Sequence, residues 1–301
     1  MAAEILCLGE PLVEFVREPD GRWRMGFGGD TSNAAIAAAR QGARVGYLGA
    51  LGADMFGDGV IRHWAAEGVD AAAVRRDPDA PTGLNFVEPD PAARRFTYVR
   101  KGSAASRYGP DDLDLAALAR ARILHLSGIT LAVSPSLRAA GLKAMGAARA
   151  ADAEVSLDTN LRLALWSRED ARAALLSAAL LTDVLVTSID DGEALFDLAE
   201  PDALIDRWRA AGPRIVIVTM GERGCRLFAD GRRAFIPPAP STPVDSTGAG
   251  DSFAGAFHAW RIETGDPFEA ARRAAIVAAG TVSGYGATEP IPRRDAVLAA
   301  L

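Results

Sequence analysis

Short apolar runs alternate with longer amphipathic stretches along most of this chain. Stretches such as TSNAAIAAARQGA (31–43) and PSLRAAGLKAMGAARAAD (135–152) place small and apolar residues at helical spacing, and Thr31 or Ser32 suits the N-cap of the first. The apolar runs have the length of buried strands: EILCLGE (4–10), RVGYLGALG (44–52), ARILHLSGI (121–129), EVSLDTN (154–160), DVLVTSI (183–189) and RIVIVTMG (214–221). This alternation predicts an α/β fold, with a mostly parallel sheet covered by helices on both faces.

Two segments interrupt the alternation. VEFVREPDGRWRMGFGG (13–29) and TGLNFVEPDPAARRFTYVRKG (82–102) each contain extended runs around a turn-rich centre, EPDG in the first and EPDPAA in the second. Both predict β-hairpins that cannot easily join the parallel sheet. We expect residues 13–29 and 82–102 to form a small β-sheet lid, and residues 1–12, 30–81 and 103–301 to form the main nucleotide- and substrate-binding domain.

Composition and charge narrow the class of protein. The 301 residues are 49% hydrophobic and 24% charged, and the net charge is −6 without any Lys/Arg-rich run. This balance argues against a nucleic-acid partner or an anionic membrane surface. Cys7 and Cys225 lie far apart in the sequence and do not form a CxxC pair. We expect both to be buried or partly buried thiols in a reducing cytosol. With no basic N-terminal leader and no apolar stretch of about 18 residues, the sequence predicts a soluble, cytoplasmic protein.

The segment PVDSTGAGDSF (243–253) carries the clearest chemistry. Pro243 and Val244 suggest the end of a strand, and a helical run follows the motif. Gly248, Ala249 and Gly250 bring bare backbone to that helix start, where N–H groups and the helix dipole favour a phosphoryl group. Asp251 beside them suits a general base that takes a proton from an attacking hydroxyl. The alternative is a purely structural helix start with an acid favoured by the dipole.

Two motifs in this sequence resemble those of the ribokinase-like (PfkB) carbohydrate kinases. VDSTGAGDSFAGAF (244–257) resembles the C-terminal signature of that family, and GFGGDTSNAAIAAARQGARVGYLGALGADMFG (26–57) resembles its glycine-rich N-terminal signature. They occur in the expected order and separation, so the resemblance covers nearly the whole chain. It implies a three-layer α/β/α ribokinase-like fold with a small β-sheet lid, and a homo-oligomer formed through that lid.

Within the family, four segments resemble the 2-keto-3-deoxygluconate kinases. They are GEPLVEF (9–15), GFGGDTSN (26–33), APTGLNFVE (80–88) and YVRKGSAAS (98–106). The resemblance implies ATP-dependent phosphorylation of 2-keto-3-deoxygluconate to 2-keto-3-deoxy-6-phosphogluconate. Asn85 departs from the aromatic residue common in those kinases, which leaves the substrate open. A fructokinase-like kinase is the alternative within the same chemistry, and a non-catalytic sugar or nucleotide sensor is the alternative outside it.

The substrate side of the predicted site combines residue chemistry with the resemblance. Asp30 offers a carboxylate to a polyhydroxylated ligand, or else caps a helix, and the resemblance makes Gly29 and Asn33 sugar contacts. Tyr98 and Arg100 lie two apart in a predicted strand, so they share a face on which the guanidinium can pair with a carboxylate. A solvated lid arginine is the alternative. Arg94, Arg95 and Lys101 are expected to face solvent.

Further contacts are implied by the resemblance. It places Arg162 near both substrate and ATP, with Asn160 of the same DTNLR segment on the nucleotide side. Nucleotide contacts are also implied for Thr219, Gly221, Gly224, Ala278 and Gly284, with a plain hairpin turn as the alternative for 219–224. In the position of an Asn-x-x-Glu segment that helps hold Mg²⁺, this chain has Asp190 and Glu193, or simply an acid-rich helix start. A monovalent cation near Asp245 and Thr247 is a further possibility of the same kind.

Overall fold

The computed structural model describes residues 2–18, 20–88 and 95–301, in which two sheets are formed. Numbered along the chain, the strands of the main sheet are β1 (Ile5–Leu8), β4 (Val45–Gly52), β5 (Val69–Asp70), β6 (Val74–Asp77), β9 (Ile123–Ser127), β10 (Glu154–Asp158), β11 (Val184–Ser188), β12 (Ile215–Thr219), β13 (Cys225–Ala229) and β14 (Arg232–Ile236). Those of the second sheet are β2 (Leu12–Arg17), β3 (Trp23–Gly28), β7 (Gly83–Glu88) and β8 (Arg95–Val99).

The helices flank the main sheet. They are α1 (Asp30–Arg40), α2 (Met55–Glu67), α3 (Ala104–Arg107), α4 (Leu115–Leu118), α5 (Gly128–Ala132), α6 (Pro135–Ala150), α7 (Arg168–Ala179), α8 (Ile189–Phe196), α9 (Pro201–Arg209), α10 (Ala249–Thr264), α11 (Pro267–Val282) and α12 (Arg294–Ala299). Within the described residues, none of these helices has both the length and the apolar character that crossing a bilayer requires.

The main sheet is mostly parallel, as predicted. Its order is β14-β13-β12-β11-β10-β9-β1-β4-β5, with β6 also beside β4, and only the pairs β12–β13 and β13–β14 are antiparallel. Side chains of β1 alternate between two cores: Ile5 and Cys7 pack with α1, α2, α10 and α11, whereas Leu6 and Leu8 pack with α5 to α9. The fold therefore has three layers, with the sheet in the middle.

The second sheet has the order β3-β2-β7-β8 and joins both predicted hairpins. β2 pairs antiparallel with β3 and parallel with β7, which pairs antiparallel with β8. Apart from Leu12, all four strands fall in the segments expected to form the lid. The EPDG turn is described except for Pro19, and the second turn, at 89–94 with Arg94, lies outside the described residues.

Helix α10 is anchored deep in the molecule. Gly255 lets it approach the backbone of Ala34 in α1, because a Cβ at this position would overlap the Ala34 carbonyl oxygen. Farther along, His258 Nε2 lies 2.7 Å from Ser156 Oγ of β10, and His125 Nδ1 of β9 lies 3.0 Å from the same oxygen. Burial lowers the pKa of both histidines, that of His125 to about 4. A neutral hydrogen-bonded cluster thus ties α10 to the central strands.

Several local predictions were wrong. α1 begins at Asp30 with Gly29 as its N-cap, because Thr31 Oγ1 hydrogen-bonds Tyr47 and Ser32 Oγ accepts from Trp64 Nε1. Residues 243 and 244 form no strand end: Val244 N–H donates to Val282 O at 2.7 Å, which fastens an irregular segment to α11. The edge strands β5, β6 and β14 were not predicted, because they are short or lack a continuous apolar run.

Candidate active site

The N-terminus of α10 forms one wall of the candidate site. Gly248 is its N-cap with φ 77°, and a Cβ there would lie 2.7 Å from the Ala287 carbonyl oxygen, so this position requires glycine. Gly250 borders open space, since a Cβ added there meets nothing within 4 Å. The first N–H groups of a helix have no acceptor one turn earlier. Those of Gly250 and Asp251, at the positive end of the helix dipole, suit an anion.

The Asp251 carboxyl lies in the first turn of α10. Asn33 Nδ2 donates to its Oδ2 at 2.8 Å, and Asn160 Nδ2 donates to its Oδ1 at 3.3 Å. Burial and the nearby charge of Asp30 raise the pKa of Asp251 to about 7, against the lowering effects of the Asn33 hydrogen bond and the Arg162 guanidinium. A carboxyl with a pKa near neutrality can accept a proton during catalysis at physiological pH.

The start of α1 lies against the start of α10. Gly29 is the α1 N-cap, and Asp30 follows in the first turn, where its Oδ2 accepts from Asn160 Nδ2 at 3.3 Å. Asn33 is only 4% exposed, and its Oδ1 has no partner within the described residues. The structure therefore brings the predicted residues Gly29, Asp30 and Asn33 together with Asp251, and it adds Asn160 as the link between the two carboxylates.

The ends of β10 and β11 add two acids that the sequence analysis missed. Asp158 closes β10, and burial together with Asp251 and Asp191 raises its pKa well above the usual range. Asp191, in the first turn of α8, accepts from Thr159 Oγ1 at 2.6 Å. The carboxyl ends of parallel strands meet at one edge of a sheet. Asp158 in DTN and Asp191 after β11 each follow such a strand, and this shared position was the signal in the sequence that could have found them.

The lid contributes Tyr98 and Arg100. Tyr98 lies on β8, Arg100 follows that strand, and the Arg100 guanidinium carbon stands 4.2 Å from the centroid of the Tyr98 ring. The Arg100 side chain is 12% exposed and pairs at 3.0 Å with Glu10, whose side chain is 0% exposed. Arg100 is therefore not a solvated lid residue, although Arg95 and Lys101 are exposed. Its Nε and Nη1 atoms are buried without a hydrogen-bond partner within the described residues.

Glu10 was also missed by the sequence analysis. Burial raises its pKa to about 7, opposed by the charge of Arg100 and assisted by that of Asp30. It lies in the short connection between β1 of the main sheet and β2 of the second sheet. In the sequence, Glu10 belongs to the GEPLVEF segment that resembles the 2-keto-3-deoxygluconate kinases. Local spacing gives no sign of its ion pair with Arg100, about 90 positions away.

Arg162 lies at the open side of the site. It is exposed, and its Nη1 donates to the carbonyl oxygen of Leu161 at 2.8 Å. Its charge lowers the pKa of both Asp251 and Tyr98, so the guanidinium lies within electrostatic reach of the first turn of α10 and of the lid. This position is consistent with a contact to substrate or phosphate.

The profile of the family described as pfkB family carbohydrate kinase matches residues 2–294. The chain belongs to this family. It is 36% identical over 299 residues to a 2-dehydro-3-deoxygluconokinase of Thermoproteus tenax, which covers 96% of this chain and 91% of the relative. It is 36% identical over 266 residues to probable fructokinase-4 of Arabidopsis thaliana, covering 84% and 80%.

A solved structure shows the same architecture. The putative ribokinase II of E. coli, crystallised in complex with ATP and Mg²⁺, superposes with a TM-score of 0.90 at 26% identity, covering 99% of this chain and 98% of that one. The ribokinase-like fold implied by the sequence resemblance is confirmed, with its mostly parallel sheet and second small sheet. This protein is a carbohydrate kinase of the pfkB family.

In this pfkB chain the residues predicted to contact nucleotide lie around β12, β13 and α11. Thr219 ends β12, and its Oγ1 donates to the Thr187 carbonyl oxygen at 3.2 Å. Gly221 and Gly224 bound the tight turn into β13. Ala278 is half-buried in α11, and Gly284 follows that helix against Pro290. Their roles stay predictions.

The predicted cation ligands are placed as follows. Asp190 and Glu193 are both exposed in the first turns of α8, beside the inward Asp191. The Asp245 carboxylate accepts from the N–H groups of Thr247 at 2.8 Å and Gly286 at 3.2 Å, so it joins two loops. In the part of the chain that the structure describes, no group of three or more His, Cys, Asp or Glu residues has the arrangement of a metal site.

Proposed function

We propose that this protein transfers the γ-phosphoryl group of ATP to the terminal hydroxyl of 2-keto-3-deoxygluconate, giving 2-keto-3-deoxy-6-phosphogluconate. The observation that carries the proposal is the Asp251 carboxyl, which lies in the first turn of α10 with a pKa raised to about 7. The name of the Thermoproteus tenax relative supports the substrate, since 2-dehydro-3-deoxygluconate is the same compound. The ATP and Mg²⁺ in the ribokinase II crystal structure support the phosphoryl donor.

The chemistry follows from the arrangement at α10. The oxygen on C6 of the sugar acid bonds to the γ-phosphorus while the bond from that phosphorus to the β–γ bridging oxygen breaks, and ADP leaves. Asp251 takes the hydroxyl proton, as a general base. The N–H groups of Gly250 and Asp251 stabilise negative charge on the phosphoryl oxygens in an anion hole that spans Gly248 to Asp251.

The acid-rich edge of the sheet fits a hard cation. Mutual repulsion contributes to the raised pKa of Asp158, and carboxylate oxygens are ligands that Mg²⁺ prefers. Mg²⁺, when bound, neutralises charge on the phosphates. Asp158 and Asp191 would hold it directly or through water, with Asp190 and Glu193 beside Asp191 at the start of α8. Asp245 and Thr247 remain the predicted region for a monovalent cation.

On the lid, Arg100 and Tyr98 are proposed to bind the substrate carboxylate and a hydroxyl. The Nε and Nη1 atoms of Arg100 have no hydrogen-bond partner within the described residues, so the guanidinium keeps donors for a carboxylate even while Nη2 pairs with Glu10. A neutral sugar has no carboxylate to pair with the guanidinium charge. An assay of ADP release over a panel of sugar acids and neutral hexoses tests the proposal, and turnover confined to the neutral hexoses would overturn it.

A fructokinase-like activity is the second candidate. It is favoured by the ion pair with Glu10, which already compensates the Arg100 charge, and by the name of the Arabidopsis thaliana relative. Arg100→Ala separates the two. For a sugar-acid kinase we expect the substrate KM to rise by about 10- to 100-fold, the effect of losing a charge-assisted hydrogen bond, with the KM for ATP unchanged. A hexose kinase would keep its substrate KM.

A further inference from the structure

A row of polar residues crosses the lid sheet on one face. Glu14 of β2 is in register with Asn85 of β7, and Asn85 is in register with Tyr98 of β8. Residues directly opposite one another in neighbouring strands point to the same side of a sheet. Glu14, Asn85 and Tyr98 therefore share the face on which Arg100 stacks over Tyr98, which is the face proposed to bind substrate.

Asn85 is a buried amide whose NH₂ group has a hydrogen-bond partner, whereas its carbonyl oxygen has none within the described residues. It is 2% exposed, its Nδ2 donates to Glu14 Oε1 at 3.0 Å, and its Oδ1 has no hydrogen-bond partner within the described residues. Because an ionised carboxylate can only accept, the Glu14 bond fixes the orientation of the amide. Glu14 thus directs the Asn85 carbonyl oxygen away from itself as an available acceptor.

Other polar atoms of the proposed substrate site also lack a hydrogen-bond partner. Asn33 Oδ1 and the Nε and Nη1 atoms of Arg100 are buried without one in the described chain. Buried polar groups are nearly always hydrogen-bonded in native proteins. A polar ligand that supplies hydroxyl donors and a carboxylate would satisfy this set, and an apolar ligand would not.

The position of Glu14 indicates which part of the ligand is involved. On one side, a Cβ added to Gly28, next to the α1 N-cap Gly29, would lie 3.2 Å from the Glu14 carboxyl carbon. On the other side, strand register puts Asn85 between Glu14 and Tyr98. With the C6 hydroxyl at Asp251 and the C1 carboxylate at Arg100, as in the proposed function, the Glu14–Asn85 pair lies opposite the middle of the substrate. C2 is a ketone and C3 carries no hydroxyl, so C4 is the central carbon that bears one.

We infer that Asn85, held in orientation by Glu14, accepts a hydrogen bond from the C4 hydroxyl of the sugar acid and so sets the preference between C4 epimers. The inference deepens the proposed function and rests on it. Asn85 is the specificity-determining contact, and Glu14 is a positioning residue. A site that offers a buried acceptor discriminates against a substrate whose hydroxyl points elsewhere.

The test compares kcat/KM for 2-keto-3-deoxygluconate and for its C4 epimer, 2-keto-3-deoxygalactonate. We expect the wild-type protein to prefer one epimer by about 10- to 100-fold. Asn85→Leu, of similar volume but without the acceptor, should bring the ratio close to one, mainly through a higher KM for the preferred epimer and with the KM for ATP unchanged. Thr97→Ser, on the opposite face of β8, is the matched control and should keep the wild-type ratio.

Glu14→Gln keeps the shape of the side chain and lets the Asn85 amide rotate by 180°, so it should lower the epimer ratio, mainly through a higher KM for the preferred epimer. This variant decides the question if Asn85→Leu does not fold. A wild-type protein without preference, or an unchanged ratio in folded Asn85→Leu or Glu14→Gln, would overturn the inference and leave the proposed function intact. A wild-type protein that releases no ADP with either epimer would instead overturn the proposed function.

Discussion

The acids around Asp251 work against the stability of the folded chain. Burial and the charge of Asp30 raise the pKa of Asp251, and burial and the charge of Asp251 raise that of Asp158. The structure offsets this crowding with amide donors from Asn33 and Asn160. Such crowding is typical of a site arranged for chemistry, since burial and like charge shift a carboxyl toward neutral pH.

The first prediction concerns the pH dependence of the rate. A general base must be ionised, so kcat/KM should fall as the pH drops through about 7, the pKa of Asp251, and reach a plateau above it. Asn33→Leu removes a hydrogen bond that lowers this pKa, so the midpoint should move to higher pH. A pH–rate profile with the same midpoint in both proteins would contradict the assigned base.

The second prediction concerns the free energy of unfolding. Asp251 and Glu10 have folded pKa values of about 7, raised from ordinary values of 3.8 and 4.5. Between the ordinary and the raised values the folded chain binds more protons than the unfolded chain, so stability should fall as pH rises through this window. Thermal unfolding should show Asp251→Asn more stable than wild type at about pH 8.5, with a smaller difference near about pH 5. A variant equally or less stable at the higher pH would contradict the charge argument.

From the sequence alone, the chemistry of the residues predicted only some members of this site. The small-residue turn before Asp251 and the Asp30–Asn33 pair could be predicted because each is a local motif at a helix start. Glu10, Asp158 and Asp191 could not, because their significance comes from neighbours in space. Arg100 was predicted to face the cleft, but its ion pair with Glu10 depends on the lid being folded against the connection that follows β1.

Among the elements, α10 matters most. It begins directly at the small-residue motif, packs on α1 at Gly255, and is fastened to β9 and β10 through the His125–Ser156–His258 cluster. The N–H groups and the carboxyl at its first turn are thereby held in fixed relation to α1. The parallel strands and α10 were predictable from periodicity, whereas the edge strands and the α1 N-cap depended on tertiary partners.

A substitution at the start of α10 tests this arrangement. Gly248→Ala must place a Cβ at φ 77° against the Ala287 carbonyl oxygen. We expect a loss of at least about 1–2 kcal/mol in unfolding free energy from the left-handed conformation alone, together with a severe loss of turnover. Gly265→Ala, at the C-cap of the same helix with φ 69° and open space around it, is the control and should lose stability but keep its turnover. Equal turnover in both variants would contradict the role of this helix start.

At the scale of the whole molecule, the lid presents apolar side chains away from the cleft. Trp23, Met25 and Val99 are 42%, 49% and 56% exposed, and strand register places all three on the face opposite Glu14 and Asn85. Exposed apolar patches of this kind mark interaction surfaces. They fit the predicted homo-oligomer, with a second copy of the chain covering this face.

Light scattering after size-exclusion chromatography checks this prediction. The wild-type protein should elute with at least twice the monomer mass of 31.5 kDa, and a Trp23→Ser/Val99→Ser double variant should elute as a folded monomer. Leu115→Ser/Leu298→Ser removes two exposed leucines of the main domain and serves as the control that should not change the mass. A monomeric wild-type protein would contradict the prediction.

The most direct measurement of the central claim is the rate of phosphoryl transfer in Asp251→Asn with saturating ATP and 2-keto-3-deoxygluconate. The side chain keeps its size and an acceptor for Asn33 or Asn160 but can no longer take a proton. We predict a kcat lower by about 10²- to 10⁴-fold, with the KM for the sugar acid within about threefold of wild type. A folded variant with wild-type turnover would contradict the assignment of Asp251 as the base.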